Sequence, residues 1–377
     1  MDVDVVALGE SMVTFLPSRP GRLADVPSFD RAIGGAESNV ACALAAFGHT
    51  ARWISRVGAD GFGDHLLERI AGYGVDVTAV HRDPDRPTGV YFRTAGDRGT
   101  GAHEVAYYRA GSAASAMAPG NVDLTAARSA RVLHLTGITA ALSEECRELL
   151  HALTAPVPGR PLVSFDVNYR PGLWGDGEGA RLLLDLARRA DIVFVGADEA
   201  EQAWDVTGGP EAIRRVLPEP AVLVVKEGAR GATAFDARGS RPRAHSAGSR
   251  AAGAAFVPEE DGTPSAPGLA TGPRPTITPP TFVPALCTAV VATTGAGDAF
   301  AAGFLSATLR GLPVRDRLRH GHLFAAAALT TPGDLAAPPA RDHADRLAAL
   351  DDDAWGRLRL GPGWTQAEQA EEEANIP

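Results

Sequence analysis

Lysine is almost missing from this chain. Its 377 residues contain one, Lys226, and the other 35 basic residues are Arg. A Walker-type phosphate loop requires Gly-Lys-Ser/Thr, but Val225 precedes Lys226 and Glu227 follows it, so that mode of nucleotide binding is excluded. Cysteine is scarce as well. Cys42, Cys146 and Cys287 are odd in number, far apart, and lack Cys-x-x-Cys spacing, so they read as reduced, buried thiols. No apolar run reaches the ~18 residues that span a bilayer, and residues 1–20 lack a basic segment leading into an apolar one. A soluble cytoplasmic protein is expected. Positive charge is short too: 36 Lys and Arg against 46 Asp and Glu give a net charge of −10, no footprint for nucleic acid or an anionic membrane.

What is plentiful is Gly, at 42, and Pro, at 28. Six Gly and eight Pro fall between Ala237 and Thr281, a composition that predicts a low-complexity insertion without a packed structure. The end of the chain, 361–377, carries Glu371-Glu372-Glu373 and reads as a solvated acidic tail. Residues 1–360, apart from the insertion, read as one domain.

Within it, apolar runs alternate with helical stretches. Val3–Leu8, Trp53–Val57, Arg131–Leu135, Leu162–Asp166, Ile192–Val195 and Val222–Val225 are predicted strands. Glu37–Phe47, Phe62–Ala71, Ser143–Leu153 and Ala180–Ala190 are predicted helices, the first with Asn39 and Gly48 as capping signals. Pro17–Pro27 reads as a loop. Continuous Val/Ile/Leu runs separated by helices predict an α/β fold around a mainly parallel sheet buried on both faces. Val90–Arg93 and Val105–Arg109 are half polar and flank a glycine-bearing turn at Ala95–Ala102, which predicts an antiparallel hairpin acting as a lid. The lid is drawn from about 11–35 and 88–111. His320 and His322 lack a carboxylate or thiol at ligand spacing and read as core histidines.

The sharpest chemical signal is Thr293-Thr294-Gly295-Ala296-Gly297-Asp298, followed by an apolar helical run. Free N–H groups and the helix dipole at such a start attract an anion. Asp298 by itself fits either a helix cap or a reacting group. A second glycine-rich run, Gly34-Gly35-Ala36-Glu37-Ser38-Asn39, lies early in the chain.

These two runs, in this order, resemble the ribokinase-like (PfkB) carbohydrate kinases. Tyr107-Tyr108-Arg109-Ala110-Gly111-Ser112, His134-Leu135-Thr136-Gly137 and Asp166-Val167-Asn168-Tyr169-Arg170 extend the resemblance toward 2-keto-3-deoxygluconate kinases. The resemblance implies a three-layer sandwich with a small β lid. It also implies transfer of the ATP γ-phosphoryl group to a sugar acid's terminal hydroxyl, with Asp298 as general base and the Gly295, Ala296 and Gly297 amides as anion hole. Gly35, Ala36, Glu37, Ser38, Asn39, Tyr91, Tyr107, Arg109, Arg170 and Asp334 are the implied sugar contacts. Asn168, Tyr169, Arg170, Gly196, Lys226, Gly228, Ala229, Arg230 and Gly231 are the implied ATP contacts, and Glu199 the Mg²⁺ residue acting through water.

Tyr107 and Arg109 taken alone also fit the exposed face of a hairpin, and Arg170 an ordinary surface Arg. Gly196 replaces the Asn of the family's Asn-x-x-Glu motif, and Ala292 stands where relatives commonly carry an Asp tied to a monovalent-cation site. The alternatives carried are a kinase of a neutral sugar such as fructose or ribose, or of a nucleoside; a non-catalytic sugar-binding regulator; and a Schiff-base aldolase using Lys226. A homodimer or larger oligomer through the lid is implied by resemblance alone.

Overall fold

The computed structural model describes residues 3–19, 21–94, 104–174, 178–237 and 279–366. The turn expected at 95–102, nearly all of the 237–281 stretch and the tail from 367 onward lie outside the described residues.

The chain opens with β1 (Val3–Leu8), β2 (Met12–Pro17), β3 (Phe29–Gly34), α1 (Ala36–Ala46), β4 (Ala51–Ile54), β5 (Arg56–Gly58) and α2 (Gly61–Ala71). After β6 (His81–Asp83), β7 (Val90–Arg93) and β8 (Val105–Tyr108) come α3 (Leu124–Arg128), β9 (Ala130–Thr136), α4 (Gly137–Ala140) and α5 (Glu144–Thr154). Next are β10 (Leu162–Asp166), α6 (Glu178–Arg189), β11 (Ile192–Gly196), α7 (Ala197–Trp204), α8 (Pro210–Val216), β12 (Val222–Lys226) and β13 (Gly231–Asp236). The described chain closes with β14 (Thr281–Pro284), β15 (Cys287–Thr288), α9 (Ala296–Leu309), α10 (Val314–Leu329), α11 (Arg341–Ala348), α12 (Asp352–Arg357) and β16 (Arg359–Leu360).

Eight strands form the main sheet in the order β14-β13-β12-β11-β10-β9-β1-β4. Six are parallel; β13 pairs antiparallel with β12 and β14. Side-chain alternation divides the core. Val5, Val132, Phe194 and Val224 pack with α1, α9 and α10, whereas Leu133, Phe165, Val195 and Val225 pack with α5 and α6. Each fully buried Val, Leu or Phe contributes ~1.5–3 kcal/mol, which explains why these strands are almost uninterrupted apolar runs. This is the expected α/β sandwich.

The lid is a separate four-stranded sheet, β3-β2-β7-β8. The expected β7–β8 hairpin is antiparallel, with Tyr91 opposite Tyr107. Several details differ from the sequence reading. β2 runs through Pro17, tolerated near a strand end. The 53–57 strand is two strands, because β4 joins the main sheet and β5 pairs with β6. Asn39 does not cap α1, whose start at Gly35 has no side-chain cap; Gly48 does end it, at φ +89°. Cys287 is exposed, unlike Cys42 and Cys146. Trp364 is 7% exposed and packs in the core, so docked chain continues past 360. His320 and His322 are buried on separate partners, Asp345 and the Val283 carbonyl.

Candidate active site

The C-terminal ends of the parallel strands face the N-terminus of α9. Gly295 precedes this helix with φ +78°, and a Cβ there would lie 2.0 Å from the Asp334 carbonyl oxygen, so both backbone angle and space require glycine. The helical ladder begins with Ala299 N–H donating to the Gly295 carbonyl at 2.9 Å. The first-turn N–H groups of Gly297 and Asp298 precede that ladder, while Ala296 N–H leans back on Thr293 at 3.4 Å. The Gly297 and Asp298 N–H groups thus have no intrahelical partner at the start of α9.

Asp298 does not cap the helix. It is part-buried and its Oδ2 accepts a 2.9 Å hydrogen bond from Asn39 Nδ2 on α1. Burial, with the Asp166 and Glu37 charges, pushes its carboxyl up to about 7 against the pull of Asn39 and Lys226. A carboxyl titrating there suits proton transfer at neutral pH.

Lys226, at the end of β12, sends its ammonium to Asp166, at the end of β10, with Nζ 3.0 and 2.9 Å from the two carboxylate oxygens. Burial works against its charge, but Asp166, Glu199 and Asp298 hold its pKa above the ordinary value. Glu199 Oε2 accepts the Gly196 N–H at 2.8 Å, and Oε1 lies 3.2 Å from Arg170 Nη1. Arg170 is otherwise exposed, its side chain 54% accessible. Asn168 is buried in a left-handed conformation, φ 43°, with Oδ1 unpartnered. Tyr169 packs into the apolar core. Gly228, Ala229 and Arg230 form an exposed turn, whereas Gly231 is buried against Val283. Among the described residues no three His, Cys, Asp or Glu side chains gather around a common point.

Across from this loop lies the lid face. Gly34 and Gly35 allow the lid strands to close on the core: a Cβ on Gly34 would meet Tyr91 Oη at 2.3 Å, and one on Gly35 the Glu10 carbonyl at 2.4 Å. Ala36 is buried, and Ser38 Oγ donates to Ser11 Oγ at 3.0 Å. Glu37 turns inward. It is fully buried, its Oε1 accepts from Thr136 and Thr139, and its Oε2 has no hydrogen-bond partner. Burial raises its pKa in spite of those bonds.

Two residues that sequence reasoning missed pair with candidate site residues. Arg93 reaches Asp334 with Nε at 3.0 Å and Nη2 at 2.5 Å from Oδ1, while Tyr91 donates to Oδ2. Glu10 forms an ion pair with Arg109 and accepts from Ser112 Oγ at 2.6 Å. Thus Asp334 and Arg109, both expected as sugar contacts, each have a partner within the chain. Alternation could have flagged Arg93, two residues from Tyr91 on the same strand face. Tyr107 is 52% exposed, its ring 5.5 Å from Tyr91. Buried atoms still without hydrogen-bond partners include Asn39 Oδ1, Glu37 Oε2 and Arg109 Nε. Such orphaned donors and acceptors suit a hydroxylated ligand.

The profile of the pfkB family carbohydrate kinases matches residues 2–248 and 280–341. The chain is 34% identical over 352 residues to a 2-dehydro-3-deoxygluconokinase of Bacillus subtilis (strain 168), covering 91% of this chain and 94% of that one. It is 32% identical over 348 residues to a 2-dehydro-3-deoxygluconokinase of Thermoproteus tenax, covering 92% and 94%. The crystal structure of a PfkB protein from Polaromonas sp. JS666 superposes with a TM-score of 0.70 at 31% identity, covering 88% of this chain and 97% of that one.

Proposed function

From the premise that this chain belongs to the pfkB family of carbohydrate kinases, we propose that it transfers the ATP γ-phosphoryl group to the terminal hydroxyl of 2-keto-3-deoxygluconate. The observation that carries the chemistry is Asp298 in the first turn of α9, held by Asn39 and close to Lys226. Asp298 takes the hydroxyl proton as the oxygen attacks phosphorus. The Gly297 and Asp298 amides, with the Gly295–Gly297 run shaping the approach, accept charge on the transferring group. Asn39, Tyr91, Tyr107 and the Gly35 region frame the sugar. Arg170 and Arg109 are the candidate carboxylate partners. The Asn168–Arg170, Gly196 and Lys226–Gly231 segments frame the nucleotide.

Mg²⁺ suits this donor set only together with nucleotide phosphates, because Mg²⁺ sites commonly combine one or two carboxylates with phosphate and water. Glu199 is the residue to hold it through water, and the ion would neutralise phosphate charge.

A kinase of a neutral sugar is the second reading. It draws on the internal carboxylates already beside the two Arg: Glu10 on Arg109 and Glu199 on Arg170. Supporting the acid substrate instead, the 2-dehydro-3-deoxygluconokinases align over nearly their whole length. An ADP-release assay with ATP and Mg²⁺ separates them on a panel of 2-keto-3-deoxygluconate, its galacto epimer, gluconate, fructose, ribose and adenosine. Selective turnover of the keto-deoxy acids is expected; preference for fructose or ribose would overturn the assignment of substrate.

A further inference from the structure

A chain that uses Arg at every other basic position keeps a lysine at one point. Strand alternation explains where it points. Asp166 is level with Phe194 and Lys226 with Gly196, so both leave the sheet on the face carrying Phe194 and Val224, where α9 packs. Gly196, on the strand between them, has no side chain. Lys226 reaches past it to Asp166, which is 2% exposed.

Buried ion pairs contribute little stability compared with apolar packing, so a pair at this position calls for another explanation. The ammonium has three N–H donors. Two are within hydrogen-bond distance of the Asp166 oxygens, which leaves a third. Nζ also lies 3.6 Å from where a Cβ on Gly297 would stand, so it borders the first turn of α9 with no side chain intervening. A guanidinium, planar and larger, would match the carboxylate with its fork and point no compact charge onward.

We propose that Asp166 is a positioning residue: it holds Lys226 beside the N-terminus of α9, so that the ammonium and the helix amides together receive the transferring phosphoryl group. This rests on the kinase reading above. Asp166 also acts on the base. Asp298 faces Asn39 and Glu37 from α1, Asp166 from β10 and Lys226 from β12, and Asp166 is one of the charges that favour its protonated form. Lys226 faces Asp166, Glu199 and Asp298, with His134 behind it, buried and driven down to about 3 by burial and the lysine's charge.

The test is Asp166→Asn in the full chain, with steady-state kinetics across pH. Lysine carrying ¹³C at Cε gives an NMR signal from this single position. We expect kcat to fall ~10- to 100-fold with the sugar KM within threefold. The acid limb of the pH profile moves to lower pH, because one charge that raised Asp298 is gone and Lys226 is released toward it. The Lys226 signal of the free protein moves as well. A kcat within twofold of the parent, an unmoved acid limb or an unchanged Lys226 signal would overturn the proposal. Should Asp166→Asn not fold, Asp166→Glu serves: its longer arm displaces the ammonium, and kcat falls at least fivefold while the protein folds. A parent chain silent on every sugar overturns the kinase reading and this proposal with it. An active parent with an unimpaired variant overturns the proposal alone.

Discussion

Replacing Asp298 by Asn removes the base while preserving size and an oxygen able to accept from Asn39. General-base catalysis contributes ~10²- to 10⁴-fold, so kcat near neutral pH should fall ~10³-fold with ATP affinity within a few-fold. Stability gives an independent reading. Folding moves the carboxyl from 3.8 to about 7, chiefly by burial. A group raised by folding contributes stability that is complete below its unfolded value and is lost as pH rises through its folded one. Each pH step between the two values is worth ~1.4 kcal/mol, for a ceiling of ~4 kcal/mol, of which ~3 kcal/mol falls between pH 5 and 7. Partial exposure of Asp298 cuts that to ~1.5 kcal/mol, or ~2 °C in Tm. Asn has no such loss. Melting curves of parent and variant at pH 5 and pH 8 should therefore diverge, the variant gaining ~2 °C more at pH 8. Equal Tm differences at both pH values, or turnover within tenfold of the parent, would refute the reasoning.

Three other substitutions probe the surroundings. Gly295→Ala places a Cβ at φ +78° and 2.0 Å from a backbone oxygen, so it should cost at least ~2 kcal/mol in urea unfolding and abolish turnover through a displaced α9 start. Arg93→Met leaves the buried Asp334 carboxylate without its cation and should cost ~3–5 kcal/mol; adding Asp334→Asn to that variant should recover most of the loss. Arg170→Ala should raise KM at least tenfold for a sugar acid but less than threefold for a neutral sugar, and equal effects would remove its carboxylate role.

The parts legible in the sequence are those where one pattern controls the local outcome. Val3–Leu8 and Leu162–Asp166 are strands at the expected bounds because burial on both faces requires unbroken apolar residues. The Gly295–Asp298 run announces a helix start because few other residues fit φ +78° beside a backbone oxygen. Asn39 is legible as a candidate site residue, but its bond to Asp298 is not: the two are 259 positions apart, and no local signal separates that bond from a cap. Glu10 was missed for the same reason, being one Glu among many until the lid folds against the core, whereas for Arg93 alternation with Tyr91 was the one available signal. β13 and the edge strand β14 escaped notice because they flank the Gly- and Pro-rich insertion, whose composition masked them. Trp364 sits in a polar run that hides its burial.

The central claim is that ATP phosphorylates a sugar acid at its terminal hydroxyl. The most direct test is proton-coupled ³¹P NMR of the product formed from ATP, Mg²⁺ and 2-keto-3-deoxygluconate. A new phosphomonoester split into a triplet by a CH₂ group is the predicted result. A doublet from a secondary carbon, or inorganic phosphate as the sole new phosphorus signal, would contradict it.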